Sequence, residues 1–230
     1  MLSHKEKVWV VIPAAGIGSR MQSDTPKQYL EIGGKTILEH SINRFLQHSA
    51  IHKVIVAIHP KDNHWSKLKI ANNPKVVTVT GGKERADSVQ NGLQEILKLG
   101  GHKDWVMVHD AARPCLESQH IDDLLKAKAT SPDGAILAIP SVDTVKVSNP
   151  QQSIEKTIPR ETIWLAQTPQ FFEVEPLADA IVKSFDKGLS ITDEASAMEN
   201  LGYHPSLVIG SRKNIKITEP EDMLLASIWL

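Results

Sequence analysis

Short runs rich in β-branched residues recur along this chain at 8–12, 53–59, 75–80, 104–108 and 134–140, with helix-like segments between most of them. Runs of this length are too short for helices, and their unbroken apolar character marks strands covered on both faces. Strands that alternate with helices need crossover connections, which build a mostly parallel sheet with helices packed on it. The spacing predicts an amphipathic helix over 36–45, where Ile37, Leu38, Ile42 and Phe45 share a face, and a short helix over 64–70. A longer helix follows Gly81 and Gly82, with Val89, Leu93, Ile96 and Leu97 on one side. Further helices are expected over 121–129, 175–185 and 220–230, and late strands over 207–209 and 214–218. Pro13 should end the first strand, since it has no N–H to donate. Between 141 and 164 the pattern changes. Val142, Val145, Val147, Ile154, Ile158 and Ile163 are spread among polar residues around a Ser148-Asn149-Pro150 turn, which predicts a projecting β-hairpin. Apolar residues on such a hairpin find few partners in their own chain, so a second copy of the protein is expected to cover them.

The first strand leads into the chemistry. Pro13, Ala14, Ala15, Gly16 and Gly18 carry little side chain, so backbone amides can come close to a bulky anion. Arg20 and Lys27 then supply positive charge beside that cradle. The spacing excludes two familiar loops. A dinucleotide fingerprint needs a third Gly or Ala where this chain has Met21, and a P-loop needs a Gly-Lys-Ser/Thr triplet that is absent. A second glycine pair, Gly81-Gly82, lies between a strand and a helix and again suits close ligand approach. Ser88, early in that helix, is placed either to contact a base edge or to cap locally. Asp110 and Arg113 follow the strand 104–108, and in open α/β sheets the ligand crevice lies at such carboxyl ends, so Asp110 reads as a substrate or Mg²⁺ contact. The acids after Thr192 are explained by helix capping, with Thr192 as N-cap and Ala195 at N3. Thr218 and Glu221 have capping-box spacing.

At 230 residues the chain suits one large α/β domain, 1–230, with the hairpin of 141–164 as an arm. A formal net charge of -1 gives no basic field for nucleic acid and no polybasic membrane patch. Cys115 is the single cysteine, so an intrachain disulfide is impossible, and it reads as a buried small apolar residue rather than a nucleophile. The N-terminus lacks a signal-peptide pattern and no apolar stretch reaches membrane-span length, which makes a cytoplasmic location the expectation. CxxC pairs and HExxH helices are also absent, so a structural zinc site is not expected.

The segments PAAGIGSRM, PKQYL, GGKERADSV, VHDAARP, TPQFF, TDEASAME and NIKIT occur in that order. Together they resemble the 2-C-methyl-D-erythritol 4-phosphate cytidylyltransferase family of the non-mevalonate isoprenoid pathway. The resemblance implies a Rossmann-like nucleotidyltransferase fold and a homodimer in which each subunit reaches its neighbour's site with a β-arm. It implies that the loop of Pro13, Ala14, Ala15, Gly16 and Gly18 wraps the phosphates of CTP and that the Gly82 to Ser88 segment recognises cytosine. Arg20 and Lys27 match residues that stabilise the transition state, and Arg160 and Lys216 match those that position methylerythritol phosphate. Asp110, Arg113, Thr144, Thr168 and Thr192 line that pocket, with Mg²⁺ or another divalent cation as cofactor and Asp110 as its one nominated protein ligand. Lys83 departs from the pattern, standing where related sequences often have an acid.

Two other readings compete. A ribitol 5-phosphate cytidylyltransferase shares the loop, the arm and the nucleotide, and fold alone does not separate it. A non-catalytic CTP-binding regulator predicts loss of a charge-stabilising residue, whereas Arg20, Lys27, Arg160 and Lys216 are all present.

Overall fold

The computed structural model describes residues 6–16 and 25–230. Its centre is a seven-stranded sheet, and β1 (Val8–Ala14) shows why both faces are covered. Val10 and Ile12 join the core on one face, whereas Trp9 and Val11 join the core on the other, the alternation expected of a strand. A small hairpin follows, β2 (Glu31–Ile32) and β3 (Lys35–Thr36), turned by Gly33 and Gly34 at φ 58° and 78°. Positive φ at both central residues is what a tight hairpin turn of this kind requires. Thr36 then caps α1 (Ile37–Leu46) in a capping box with Glu39.

The chain continues through β4 (Ile51–Ile58), β5 (Val76–Thr80), α2 (Arg85–Lys98), β6 (Trp105–Val108), α3 (Ser118–Ala127) and β7 (Ala135–Pro140). A separate antiparallel pair comes next, β8 (Val145–Ser148) with β9 (Ile154–Ile158). The chain then runs through β10 (Trp164–Glu173), α4 (Val174–Asp186), α5 (Glu194–Glu199), β11 (Ser206–Ile209) and α6 (Pro220–Trp229). The sheet order is β11-β7-β10-β6-β1-β4-β5, parallel except for β10, which runs antiparallel to both neighbours. Leu38, Ile42 and Phe45 of α1 and Ile121 and Leu124 of α3 pack on one face. Val89, Leu93 and Ile96 of α2 and Leu177 and Ile181 of α4 pack on the other. Because β10 is reversed, it re-enters the sheet at the carboxyl edge where β7 leaves it, with Trp164 opposite Pro140, and the β8–β9 hairpin is rooted at that edge. Among the described residues no helix is long and apolar enough to cross a membrane.

Several local expectations are corrected. Pro13 does not end β1; it pairs with Ala57 and the strand runs on to Ala14. Lys7 and Val11 turn their carbonyls toward β6, accepting from Trp105 and His109, so Pro13 has its nitrogen on that side, past the last residue of β6. Its missing N–H therefore removes no ladder bond. The 64–70 segment forms two 3-10 turns, Trp65–Lys67 and Lys69–Asn72, instead of a helix. The 214–218 run is no strand. Arg113 Nη1 donates to Asn214 O at 2.6 Å and Ile217 N donates to Ala112 O at 2.8 Å, so this run is braced on the loop after β6. Asp193, and not Thr192, caps α5, with Ser196 at N3, and Glu219 caps α6 with Asp222. Cys115 is buried as expected, and burial pushes its thiol up to about 11.

Candidate functional site

Two clefts meet at the carboxyl edge of the sheet. The first, about 170 Å³, is walled by the loop after β1, the glycine turn before α2 and Lys27. Small residues allow this closeness: a Cβ on Gly81 would lie 2.4 Å from the Ala15 Cβ. The loop is held from beneath by Gln28, which is buried and whose Nε2 donates to Ala14 O at 2.8 Å and Gly16 O at 3.1 Å. With the carbonyls engaged there, the small residues are left to face a ligand. Lys27 Nζ donates to Ile217 O at 3.2 Å and lines the same cleft. Ser88 works locally, its hydroxyl accepting from Gly82 N at 3.0 Å and donating to Glu84 O at 3.3 Å, while it also lines the wall. Lys83 is exposed at the rim. Gly18 and Arg20 lie outside the described residues.

The second cleft, about 210 Å³, is lined by Arg113, Thr168 and Thr192 among others, and shares Arg85, Asp110 and Lys216 with the first. Asp110, Arg113, Thr168, Thr192 and Lys216 are thus brought together, as expected. Thr144 and Arg160 line neither cleft; Arg160 donates from Nη1 to Val142 O near the root of the hairpin.

The shared wall is a chain of alternating charge. Arg85 Nε donates to Asp110 Oδ1 at 2.9 Å, and its two terminal nitrogens grip Glu194 at 2.7 and 3.0 Å. Lys216 Nζ lies 2.9 Å from Asp110 Oδ2, and Arg113 Nε lies 3.6 Å from the same oxygen. Burial alone would raise the pKa of Asp110, but Arg85, then Lys216, then Arg113 hold it well below the usual carboxylate range. Burial pushes Glu194 up against the pull of Arg85, and the guanidinium, in spite of its own burial, is held in the charged form by both carboxylates.

This arrangement bears on one expectation. Both oxygens of Asp110 are engaged by cations, so a metal there would need Lys216 to leave first. Among the described residues, no group of three or more His, Cys, Asp or Glu side chains is placed to hold a metal ion.

His109 sets the loop that carries Asp110 and Arg113. Its Nε2 lies 2.9 Å from Arg113 O, which can only accept, so the proton is on Nε2 and Nδ1 accepts from the Thr168 hydroxyl at 3.1 Å. Thr168 Oγ1 in turn accepts from Asp110 N at 3.0 Å. Burial pushes the imidazole down to about 4, keeping it neutral.

Gln28, Arg85, His109 and Glu194 are the residues that sequence reasoning passed over. Gln28, Arg85 and His109 lie inside the segments that carry the family resemblance, and Glu194 reads locally as a capping acid.

The model of the 2-C-methyl-D-erythritol 4-phosphate cytidylyltransferase family matches residues 8–230. A protein of that name from Vibrio vulnificus is 51% identical over 220 residues, covering 96% of this chain and 93% of its own. One from Yersinia pseudotuberculosis is 50% identical over 225 residues, covering 97% and 92%. The crystal structure of the Francisella tularensis protein of that name superposes with a TM-score of 0.85 at 38% identity, covering 98% of this chain and 100% of that one.

Proposed function

Since the chain belongs to the 2-C-methyl-D-erythritol 4-phosphate cytidylyltransferase family, we propose that its two clefts bring CTP and methylerythritol phosphate together for cytidylyl transfer, a step of isoprenoid precursor synthesis. The observation that carries this reading is the wall of Arg85, Asp110 and Lys216 common to both clefts. A phosphate oxygen of the acceptor attacks the α-phosphorus of CTP, and the bond from that phosphorus to the β-phosphate oxygen breaks. Pyrophosphate leaves with the electron pair, and 4-CDP-2-C-methyl-D-erythritol is formed without a covalent enzyme intermediate. A phosphate is already a nucleophile at neutral pH. The barrier lies in holding two polyanions in line and spreading the charge that develops, which is work for fixed cations and not for a general base.

In this reading Pro13 to Gly18 cradle the triphosphate, and Gly82 and Ser88 border the base. Lys27 and Arg20 stabilise the transferring phosphoryl group. Lys216 and Arg113 receive the acceptor phosphate, with Thr168 and Thr192 beside its polyol. Mg²⁺ or another divalent cation would be held largely by the triphosphate itself and would supply charge neutralisation there. Thr144 and Arg160 are supplied by the hairpin of a second copy, so residues 1–230 act as one domain with 141–164 as the dimerisation arm, in the cytoplasm. Support for the arm comes from exposed Val142 and Ile154 and from its root at the site edge.

The test is pyrophosphate release with CTP and Mg²⁺, offered methylerythritol phosphate and ribitol 5-phosphate in parallel. Release with the first acceptor alone is expected. Release with the second alone would overturn the acceptor, and CTP binding without release from either would overturn catalysis.

A further inference from the structure

Of the five charged side chains along the shared wall, Lys216 is the most exposed, at 41%, and Glu194 the least, at 1%; Arg85 lies between, at 28%. The gradient separates a movable end from a fixed one. Lys216 is a flexible ammonium in contact with one oxygen of Asp110. Arg85 holds the other oxygen, and its remaining edge is clamped by a bidentate pair with the buried Glu194. A planar guanidinium gripped on two edges cannot swing away without breaking three hydrogen bonds, two of which are those that match the buried Glu194 carboxylate.

We propose that Arg85 is a positioning residue for the transfer reaction: anchored by Glu194, it stays on Asp110 as the permanent counter-charge, so that Lys216 can leave that carboxylate for the incoming phosphate. The inference rests on the reading of the clefts as a meeting place of two polyanions. Asp110 is an anion in the wall such substrates must touch, and an anion there opposes them unless a cation stays with it. Without Arg85, Lys216 would be the main cation left on Asp110, and its charge would be unavailable to substrate. The network also links the first residue of α2, beside the glycine turn, to the first residue of α5, beside Thr192. The two clefts are thereby kept in register.

A purely structural pair would behave differently, and the charge-balanced double variant Arg85→Gln/Glu194→Gln separates the two roles. It removes both charges together, so no Glu194 carboxylate is left buried and unpaired, and Lys216 and Arg113 still offset Asp110; thermal unfolding should therefore show a folded, cooperative protein. The expected outcome is a fall of about 100-fold in kcat/KM for the acceptor, the scale of losing one preorganised charge, with the KM for CTP changed less than about threefold. A double variant with wild-type kcat/KM for the acceptor would overturn the proposal. Should it not fold, a crystal structure of the wild-type protein with the reaction product decides. Lys216 on a product phosphate with Arg85 still on Asp110 is expected, and Lys216 still on Asp110 with Arg85 moved to the phosphate sinks the idea. If the wild type releases no pyrophosphate with either acceptor, the reading of the clefts fails first; an active wild type with an equally active double variant retires the role of Arg85 alone.

Discussion

Replacing His109 with asparagine tests how the loop carrying Asp110 and Arg113 is held. Both ring nitrogens are occupied in the neutral form, Nε2–H by Arg113 O and Nδ1 by the Thr168 hydroxyl, and the side chain is fully buried. Protonating Nδ1 would set an N–H against a hydroxyl that has to give up its own donation. Burial is the main cause of the fall from the ordinary 6.5 to about 4. For a histidine held neutral in the fold, the unfolded chain binds more protons between those two values, so stability declines as pH drops through that window. At about 1.4 kcal/mol per unit the whole shift is worth about 3 kcal/mol, of which about 2 kcal/mol is lost between pH 7 and pH 5. Urea unfolding at those two pH values, on wild type and His109→Asn, measures it. The variant should be less stable at pH 7, since it loses ring hydrogen bonds, yet its drop between the two pH values should be smaller by about 2 kcal/mol. Equal drops in both proteins would refute the reasoning, as would an NMR titration in which the His109 ring gains its proton above pH 6.

Other outcomes follow from the clefts. Lys27→Ala should lower kcat about 100-fold while the KM for CTP moves far less, because its charge acts on the transferring group; an unchanged rate in initial-velocity assays removes Lys27 from the mechanism. Gln28→Ala strips the Ala14 and Gly16 carbonyls of a buried donor, so unfolding should cost about 1–3 kcal/mol less, with a raised KM for CTP; an unaltered KM would show that the cradle keeps its shape without that anchor. Gly81→Ala places a methyl 2.4 Å from the Ala15 Cβ and should weaken CTP binding measured by calorimetry more than it lowers thermal stability. Mixing inactive Arg160→Ala subunits with inactive Lys27→Ala subunits should restore part of the turnover, since one subunit of each mixed pair would see an intact arm and an intact cleft. No recovery would argue that each arm serves its own chain.

The sheet was legible because strands covered on both faces must be apolar without interruption, and 8–12 or 104–108 can be little else. Pro13 misled because a missing donor matters only where a neighbour waits for it, and β6 stops short of that point. The alternation of Ile215 and Ile217 reads as a strand, yet Ile217 N donates to Ala112 O and Asn214 O accepts from the Arg113 side chain, partners from a loop that local pattern cannot see. The two-residue strands around Gly33 and Gly34 were too brief to register as periodicity. In the site, small residues and charged residues next to strand ends stood out, so the cradle, Lys27, Asp110 and Arg113 could be nominated from the residues themselves, whereas Lys216, in a strand-like run, was nominated only through the family resemblance. Arg85 and Glu194 were not, because their meaning lies in a contact across 109 residues, and a buried acid at a helix start looks like any capping acid.

The graded exposure along the wall also determines how the protein should respond to ionic strength. At physiological salt the Debye length is about 8 Å, and mobile ions screen charges that water can reach far more than those it cannot. Glu194 and the edge of Arg85 that grips it are shielded, whereas Lys216 is open to solvent. Added electrolyte should therefore loosen the substrate-facing end of the wall first and leave its anchored end intact. Capture of the acceptor would weaken as salt rises, while the framework that orders the site stays in place.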